Sequence, residues 1–216
     1  MSLAIAWLAL SAMSCLLVAA DVARAGGQRM WIMDLVWPIT ALWAGPIGGW
    51  AYVRFGRADN RRSARAKDDR TAVVVAKATS HCGAGCTLGD LVALGVAALV
   101  PLSVGGHEIF GEWIYGFVAA FALGILFQYF TIKPMRHLSR RDGLVAALEA
   151  DALSLTAWQV GMYGWMAIAR FAIVGRPLDE GSATFWVTMQ AAMLAGFVVS
   201  YPVNALLIRH GLKERM

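Results

Sequence analysis

Charge is what this chain has least of: only 15% of its 216 residues are Asp, Glu, Lys or Arg, against 59% hydrophobic, and the mean hydropathy is +0.58. A soluble domain is roughly half apolar, so this composition excludes one, and it equally excludes a disordered chain. Cysteine is also scarce, with three residues, too few for a disulfide scaffold. The chain has no Gly-rich phosphate loop, no His-Glu-x-x-His helix and no Gly-x-Ser-x-Gly elbow, which removes nucleotide-driven pumping by this chain alone and the commonest hydrolytic chemistries. The net charge of +5 comes from Lys and Arg clustered between apolar runs, so it describes orientation in a bilayer and not a nucleic-acid-binding face.

A spanning helix needs about 20 mostly apolar residues. Six such runs occur, at residues 3–20, 31–53, 87–104, 112–132, 150–174 and 184–208. The expectation is an all-α, polytopic transmembrane bundle of about six helices. It forms a single integral membrane domain over residues 1–216, with a basic cytoplasmic loop at about 54–80. That loop carries Arg54, Arg57, Arg61, Arg62, Arg65, Lys67, Arg70 and Lys77. Lys133, Arg136, Arg140 and Arg141 follow the fourth run, and Arg209, Lys213 and Arg215 follow the sixth, whereas Arg24, Arg29 and Arg176 fall in the alternate loops. Positively charged loops stay in the cytoplasm, so both termini are expected inside. A cleaved signal peptide ending near Ala23-Arg24-Ala25 is the competing reading of the first run, but its start lacks a basic segment.

Much of the remaining pattern has a membrane explanation. Trp31, Trp37, Trp50, Trp113 and Trp186 sit near expected helix ends, where indole rings settle at the interface. Gly45-Pro46 with Gly48-Gly49 interrupts the second run and permits a kink or close packing. The basic block from Arg61 to Lys67 can attract anionic lipid head groups, although orientation alone accounts for it.

Chemistry concentrates in Ser80-His81-Cys82-Gly83-Ala84-Gly85-Cys86-Thr87-Leu88-Gly89-Asp90, placed where the basic loop meets the third run. On a helix, Cys82, Cys86 and Asp90 recur every four residues and share a face, with His81 beside the first cysteine. Thiolate and imidazole suit Cu(I) or Zn(II), and a reducing interior disfavours a permanent disulfide. The competing reading is that these are small packing residues, since a second cysteine pair is missing. Methionine supplies a second signal. Met162 and Met166 on the fifth run and Met189 and Met193 on the sixth are expected in one layer, where thioethers can pass a soft ion or simply fill gaps. Gln159, Ser200 and Asn204 extend this as a polar seam, and Asp151 and Arg170 should also avoid lipid. His107, Glu108 and Glu112 form a polar connection on the opposite side, which can meet an entering cation or be ordinary loop polarity. Cys15 reads as a small hydrophobe, and His137 and His210 as solvated groups in basic stretches.

The Ser80–Asp90 motif, together with Trp158-Gln159-Val160-Gly161-Met162-Tyr163 and Ser200-Tyr201-Pro202-Val203-Asn204 and the ending Gly211-Leu212-Lys213-Glu214-Arg215-Met216, resembles a bacterial membrane family catalogued only as a domain of unknown function. The resemblance covers nearly the whole chain. It implies a multi-pass protein of the bacterial inner membrane and supplies no catalytic residues. Three functions remain open from the residues. One is handling or transport of a soft metal ion, most plausibly Cu(I), by His81, Cys82, Cys86, Asp90 and the four methionines. A second is a noncatalytic accessory subunit packed against a larger respiratory or photosynthetic complex, or a homo-oligomer. The third is a thiol redox protein using Cys82 and Cys86.

Overall fold

The computed structural model describes residues 2–25, 28, 30–57, 71–175 and 178–214. The expected cytoplasmic charges Arg61, Arg62, Arg65, Lys67, Arg70 and Arg215, and the loop residues Arg29 and Arg176, lie outside the described residues. Among the described residues there are seven α-helices and no strand: α1 Ser2–Arg24, α2 Met33–Ala44, α3 Pro46–Ala51, α4 Thr71–Leu99, α5 Ile109–Arg136, α6 Arg140–Ala167 and α7 Ala183–Arg209. π turns prolong α3 through Tyr52–Gly56 and α6 through Ile168–Val174. Helices α1, α4, α5 and α7 are each long and apolar enough to cross a membrane.

Helices α4 to α7 pack in a closed ring, α4 on α5, α5 on α6, α6 on α7 and α7 back on α4. The starts of α4 and α6 and the ends of α5 and α7 therefore meet at one end of the bundle, here the tail end, because the C-terminal residues lie there. Small residues bring these helices close. A Cβ on Gly89 of α4 would stand 2.4 Å from the Ala120 Cα of α5, and one on Gly83 would stand 2.4 Å from the Trp158 ring of α6. This packing corrects the expected third span. Ser80–Asp90 is not a junction between loop and helix: α4 begins at Thr71, so residues 71–80 of the expected loop are helical and the motif occupies the middle of the helix. Its Gly, Ser and Thr residues lower the local hydropathy, yet they face other helices and not water. Similarly, α6 starts ten residues before the expected fifth span, at a Ser139 N-cap whose hydroxyl accepts the Asp142 N–H at 3.2 Å.

The second expected span is a larger correction. Residues 31–53 do not cross the bundle; the chain turns back at Gly45, which has φ +59° and ψ −141°. A side chain there would be strained in conformation and would also meet the Ser11 Oγ at 2.9 Å. Helix α3 then runs back along α2, with the Gly48 position against the Thr40 carbonyl and Gly56 against the Trp37 indole. Trp37 consequently packs edge-on to Tyr52 and is 4% exposed, so it belongs to the core and not to an interfacial belt. Trp31 and Trp50 remain exposed.

This hairpin also resets the direction of α1. Near its start, Trp7 Nε1 donates to Gln190 Oε1 at 2.7 Å, and the Gln190 amide donates to the Leu42 carbonyl at 2.8 Å. Near its end, Asp21 accepts the Tyr52 hydroxyl at 2.8 Å and pairs with Arg57 at 2.9 Å. Helix α1 thus runs parallel to α7 and ends at the tail end, where Trp31 meets Phe130 of α5. The beginning of α1 and the end of α7 lie at opposite ends of the bundle, which corrects the expected placement of both termini on one side. Arg24, counted from sequence on the poorly charged side, joins Arg57, Arg136, Arg140, Arg141 and Arg209 at the tail end.

The close approach of α4 and α5 gives a controlled test within one helix. Gly89→Ala should lower the thermal stability of the detergent-solubilised protein by about 1–3 kcal/mol, because the clash is with backbone. Gly95→Ala, with nothing within 4 Å, should leave it unchanged or raise it.

Candidate functional site

Two chemically distinct regions are built on α4, one inside the ring and one that extends from the ring to where α4 and α7 meet α1 and α2. The first lies toward the tail end. Lys213 is 2% exposed, and its Nζ donates to Cys82 Sγ at 2.9 Å, Ser154 Oγ at 3.0 Å and Asp151 Oδ1 at 3.2 Å. The Cys82 thiol in turn donates to Asp151 Oδ1 at 2.9 Å and lies 3.0 Å from Ser154 Oγ. Burial opposes the ammonium charge, and the Asp151 carboxylate at 3.2 Å offsets that cost. Asp151 is its ion-pair partner at this centre.

The local sequence explains how a residue beyond the last helix reaches this position. At the end of α7, Gly211 takes φ +70°, its N–H bonds to the Ile208 carbonyl at 3.1 Å, and the Leu212 N–H bonds to the Leu207 carbonyl at 3.0 Å. That is a Schellman closure, in which a left-handed glycine reverses the chain. The reversal sends Lys213 back into the ring. Arg136 at the end of α5 holds the turn from outside, donating to the Gly211 carbonyl at 3.1 Å and pairing with Glu214.

Of the three expected seam residues, two come together. Ser200 Oγ donates to the Ser154 carbonyl at 2.9 Å, and Asn204 Nδ2 donates to Ser200 Oγ at 2.8 Å, so these two residues back the Lys213 centre from α7. Gln159 is buried without a hydrogen-bond partner among the described residues and does not join them.

The second region lies toward the other end. Asp90, 8% exposed, lines two cavities, and its Oδ2 has no hydrogen-bond partner among the described residues. The larger cavity, about 290 Å³, also carries Met189, Met193, Thr87 and Gln190 and reaches Leu42 and Trp43 at the end of α2. The smaller, about 30 Å³, carries Met162, Met166, Met189, Tyr163 and Glu112. Cys86 lies along α4 between the two regions, buried in the same apolar core as Cys82, Met162, Met166 and Met193, with Met189 packed against it.

The four methionines and two cysteines expected to act together therefore share one core. The motif's four candidate ligands, however, do not converge. His81 packs against Phe127, Cys82 turns to Lys213, and Asp90 opens on the cavities. Among the described residues, no group of three or more His, Cys, Asp and Glu side chains is arranged to hold a metal ion. Ser154 and Lys213 escaped the sequence reading, Lys213 because it counted as a topological charge. A Gly two residues before a terminal lysine, just past an apolar helix, is the signal that was there to be used.

The family profile described as "Domain of unknown function (DUF4396)" matches residues 73–213. The chain belongs to this family. The DUF4396 match spans nearly all of α4 through α7 and ends at Lys213, so it contains every residue of both regions except those contributed by α1 and α2. No curated protein and no solved structure matches the chain.

A buried ion pair that loses one partner leaves an uncompensated charge, at a cost of about 3–5 kcal/mol. Lys213→Met should therefore destabilise the protein strongly in thermal unfolding, and adding Asp151→Asn should restore most of the loss. Additive losses in that double-mutant cycle would mean that the two groups are not coupled.

Proposed function

We propose that this protein is a membrane-embedded carrier for a soft metal cation, Cu(I) before Zn(II), which enters the bundle at the Asp90 cavities. The observation that carries this reading is the buried, unpartnered Asp90 oxygen at the junction of two cavities whose walls hold Met162, Met166, Met189 and Met193. A buried carboxylate oxygen without a donor calls for a cation or a proton. Thioether sulfur selects a soft, monovalent ion over a hard one. The carbonyl end of α2, a half-helix ending within the bundle at Leu42 to Ala44, adds the negative pole of its dipole beside the larger cavity. Glu112 offers a second carboxylate at the smaller one. From there the buried thiols of Cys86 and Cys82 continue the run of sulfur toward the tail end, eight residues and about 12 Å along α4 from Asp90.

The tail end faces the cytoplasm in this reading, because the basic residues collect there. The arrangement is five crossings and one re-entrant hairpin in the bacterial inner membrane, with the start of α1 outside. A hairpin that enters without crossing is tolerated where protein covers its polar backbone, and α2 is buried along Met33, Val36, Trp37, Thr40 and Ala41.

Silver(I), a redox-inert stand-in for Cu(I), tests the transport claim. Liposomes containing the protein should accumulate Ag(I) at least about tenfold faster than liposomes containing Asp90→Asn or the Met189→Leu/Met193→Leu pair, since tenfold corresponds to only about 1.4 kcal/mol of lost binding. Equal uptake by all of these and by protein-free liposomes would end the proposal. The orientation has its own check: Leu3→Cys should react with an impermeant maleimide added outside intact cells, and Glu214→Cys should not.

A further inference from the structure

The Lys213 centre is arranged as a cation site that already holds its cation. Three acceptor atoms, Cys82 Sγ, Asp151 Oδ1 and Ser154 Oγ, surround one ammonium nitrogen at 2.9–3.2 Å, and the lysine side chain is fully buried among them. The acceptors come from α4 and α6, two helices of the ring, whereas the cation arrives on the segment just past α7. A sulfur, a carboxylate and a hydroxyl are a ligand set for a small monovalent ion, with the sulfur biasing it toward a soft one. Behind them, Ser200 and Asn204 fix the α6 backbone at Ser154.

We propose that the Cys82–Asp151–Ser154 trio is a second site for a soft monovalent cation, and that the Lys213 ammonium is its tethered occupant, exchanged one for one when such an ion arrives. As the ion binds, Cys82 passes its proton to Asp151 Oδ1, which it already meets at 2.9 Å, so the thiolate holds the ion, the carboxyl is neutral when the ammonium leaves, and no isolated buried carboxylate remains. The attachment of the tether is suited to release. Its outer clasp is the partly exposed Arg136–Glu214 pair, and exposed pairs contribute about 0–1 kcal/mol. Its hinge is Gly211, where nothing lies within 4 Å of the position a Cβ would take. Once Lys213 has swung out, the trio opens toward the tail end. The site thus closes the interior of the bundle when no ion is there and opens when one is. The identity of the displacing ion rests on the soft-cation reading above; the tethered occupant rests on the geometry of the Lys213 centre alone.

Amine reactivity of Lys213 reads the exchange directly. In the purified wild-type protein, acylation of Lys213 by a small N-hydroxysuccinimide ester, followed by mass spectrometry, should be slow and should accelerate at least about tenfold on addition of Ag(I), a factor equivalent to about 1.4 kcal/mol. Cys82→Ser should abolish that acceleration, while other lysines such as Lys77 should show none in either protein. Elemental analysis of the same samples separates the two proposals. Stoichiometric retained silver with Lys213 still unreactive overturns the exchange and leaves the carrier reading standing. Silver held by both proteins, and more tightly by Lys213→Met, supports competition for the one site. Absence of retained silver in both proteins overturns the exchange, and the uptake measurement then decides the carrier reading independently.

Discussion

A lysine ammonium shut away from water among apolar helices is stable only where negative charge and hydrogen-bond acceptors answer it, and Asp151, Cys82 and Ser154 do so for Lys213. Much of the architecture exists to make that meeting possible. Asp151 and Ser154 stand one turn apart on α6, so one face presents both. Cys82 reaches them because Gly83 lets α4 settle against Trp158. Lys213 reaches them because the Gly211 closure reverses the chain at the end of α7, and Arg136 ties that closure to α5. All four helices of the ring are therefore joined through one polar contact at the tail end. Dispersion and small-residue packing set how closely the helices approach, but they are nondirectional; a centre with fixed donors and acceptors also sets their register.

The class of fold was legible in composition, and α1, α5 and α7 stand close to where the hydropathy places spans, whereas α4 begins sixteen residues before the run that marked it. The errors share a cause. Hydropathy scores a residue against water, whereas in this bundle the question is what lies across from it. Ser80, Gly83, Gly85, Thr87 and Gly89 look like a loop boundary on that scale and are the closest-packed part of α4. Asp142, Glu149, Asp151 and Gln159 make α6 look like a poor span, although Asp151 and Gln159 are buried by their neighbours. In the second segment, the apolar count was right and the geometry was not. Length and hydropathy are the same for a straight helix and for two half-helices folded back at Gly45. The Gly-Pro pair was visible, but a kink and a reversal differ only in backbone angles that composition does not encode.

Reversal of that segment changes the charge distribution more than the helix count. In a six-span reading, Arg24 opposes the basic side. With α2 and α3 folded into a hairpin, α1 ends at the same end as α5 and α7, and the asymmetry of basic residues sharpens. Charge bias and helix geometry thus agree better in the observed fold than in the simpler one, as expected if retention of Lys and Arg in the cytoplasm orients the chain.

The candidate ligands were legible as residue types but not as groupings. A period of four puts Cys82, Cys86 and Asp90 on one face, but a shared face is not a shared set of neighbours. On a helix, residues four apart are about 6 Å apart along the axis, so a stripe eight residues long meets different neighbours at its two ends. At one end Asp90 faces methionines, a half-helix terminus and cavities; at the other Cys82 faces a carboxylate and a lysine. A metal held rigidly by the whole stripe would have to be larger than any ion. A stripe whose ends differ is instead suited to successive occupation. In the proposed carrier, an ion leaving the cavity end would pass Cys86 and meet a site at Cys82 already filled by the protein's own cation, and entry at one end and opening at the other would be coupled through charge.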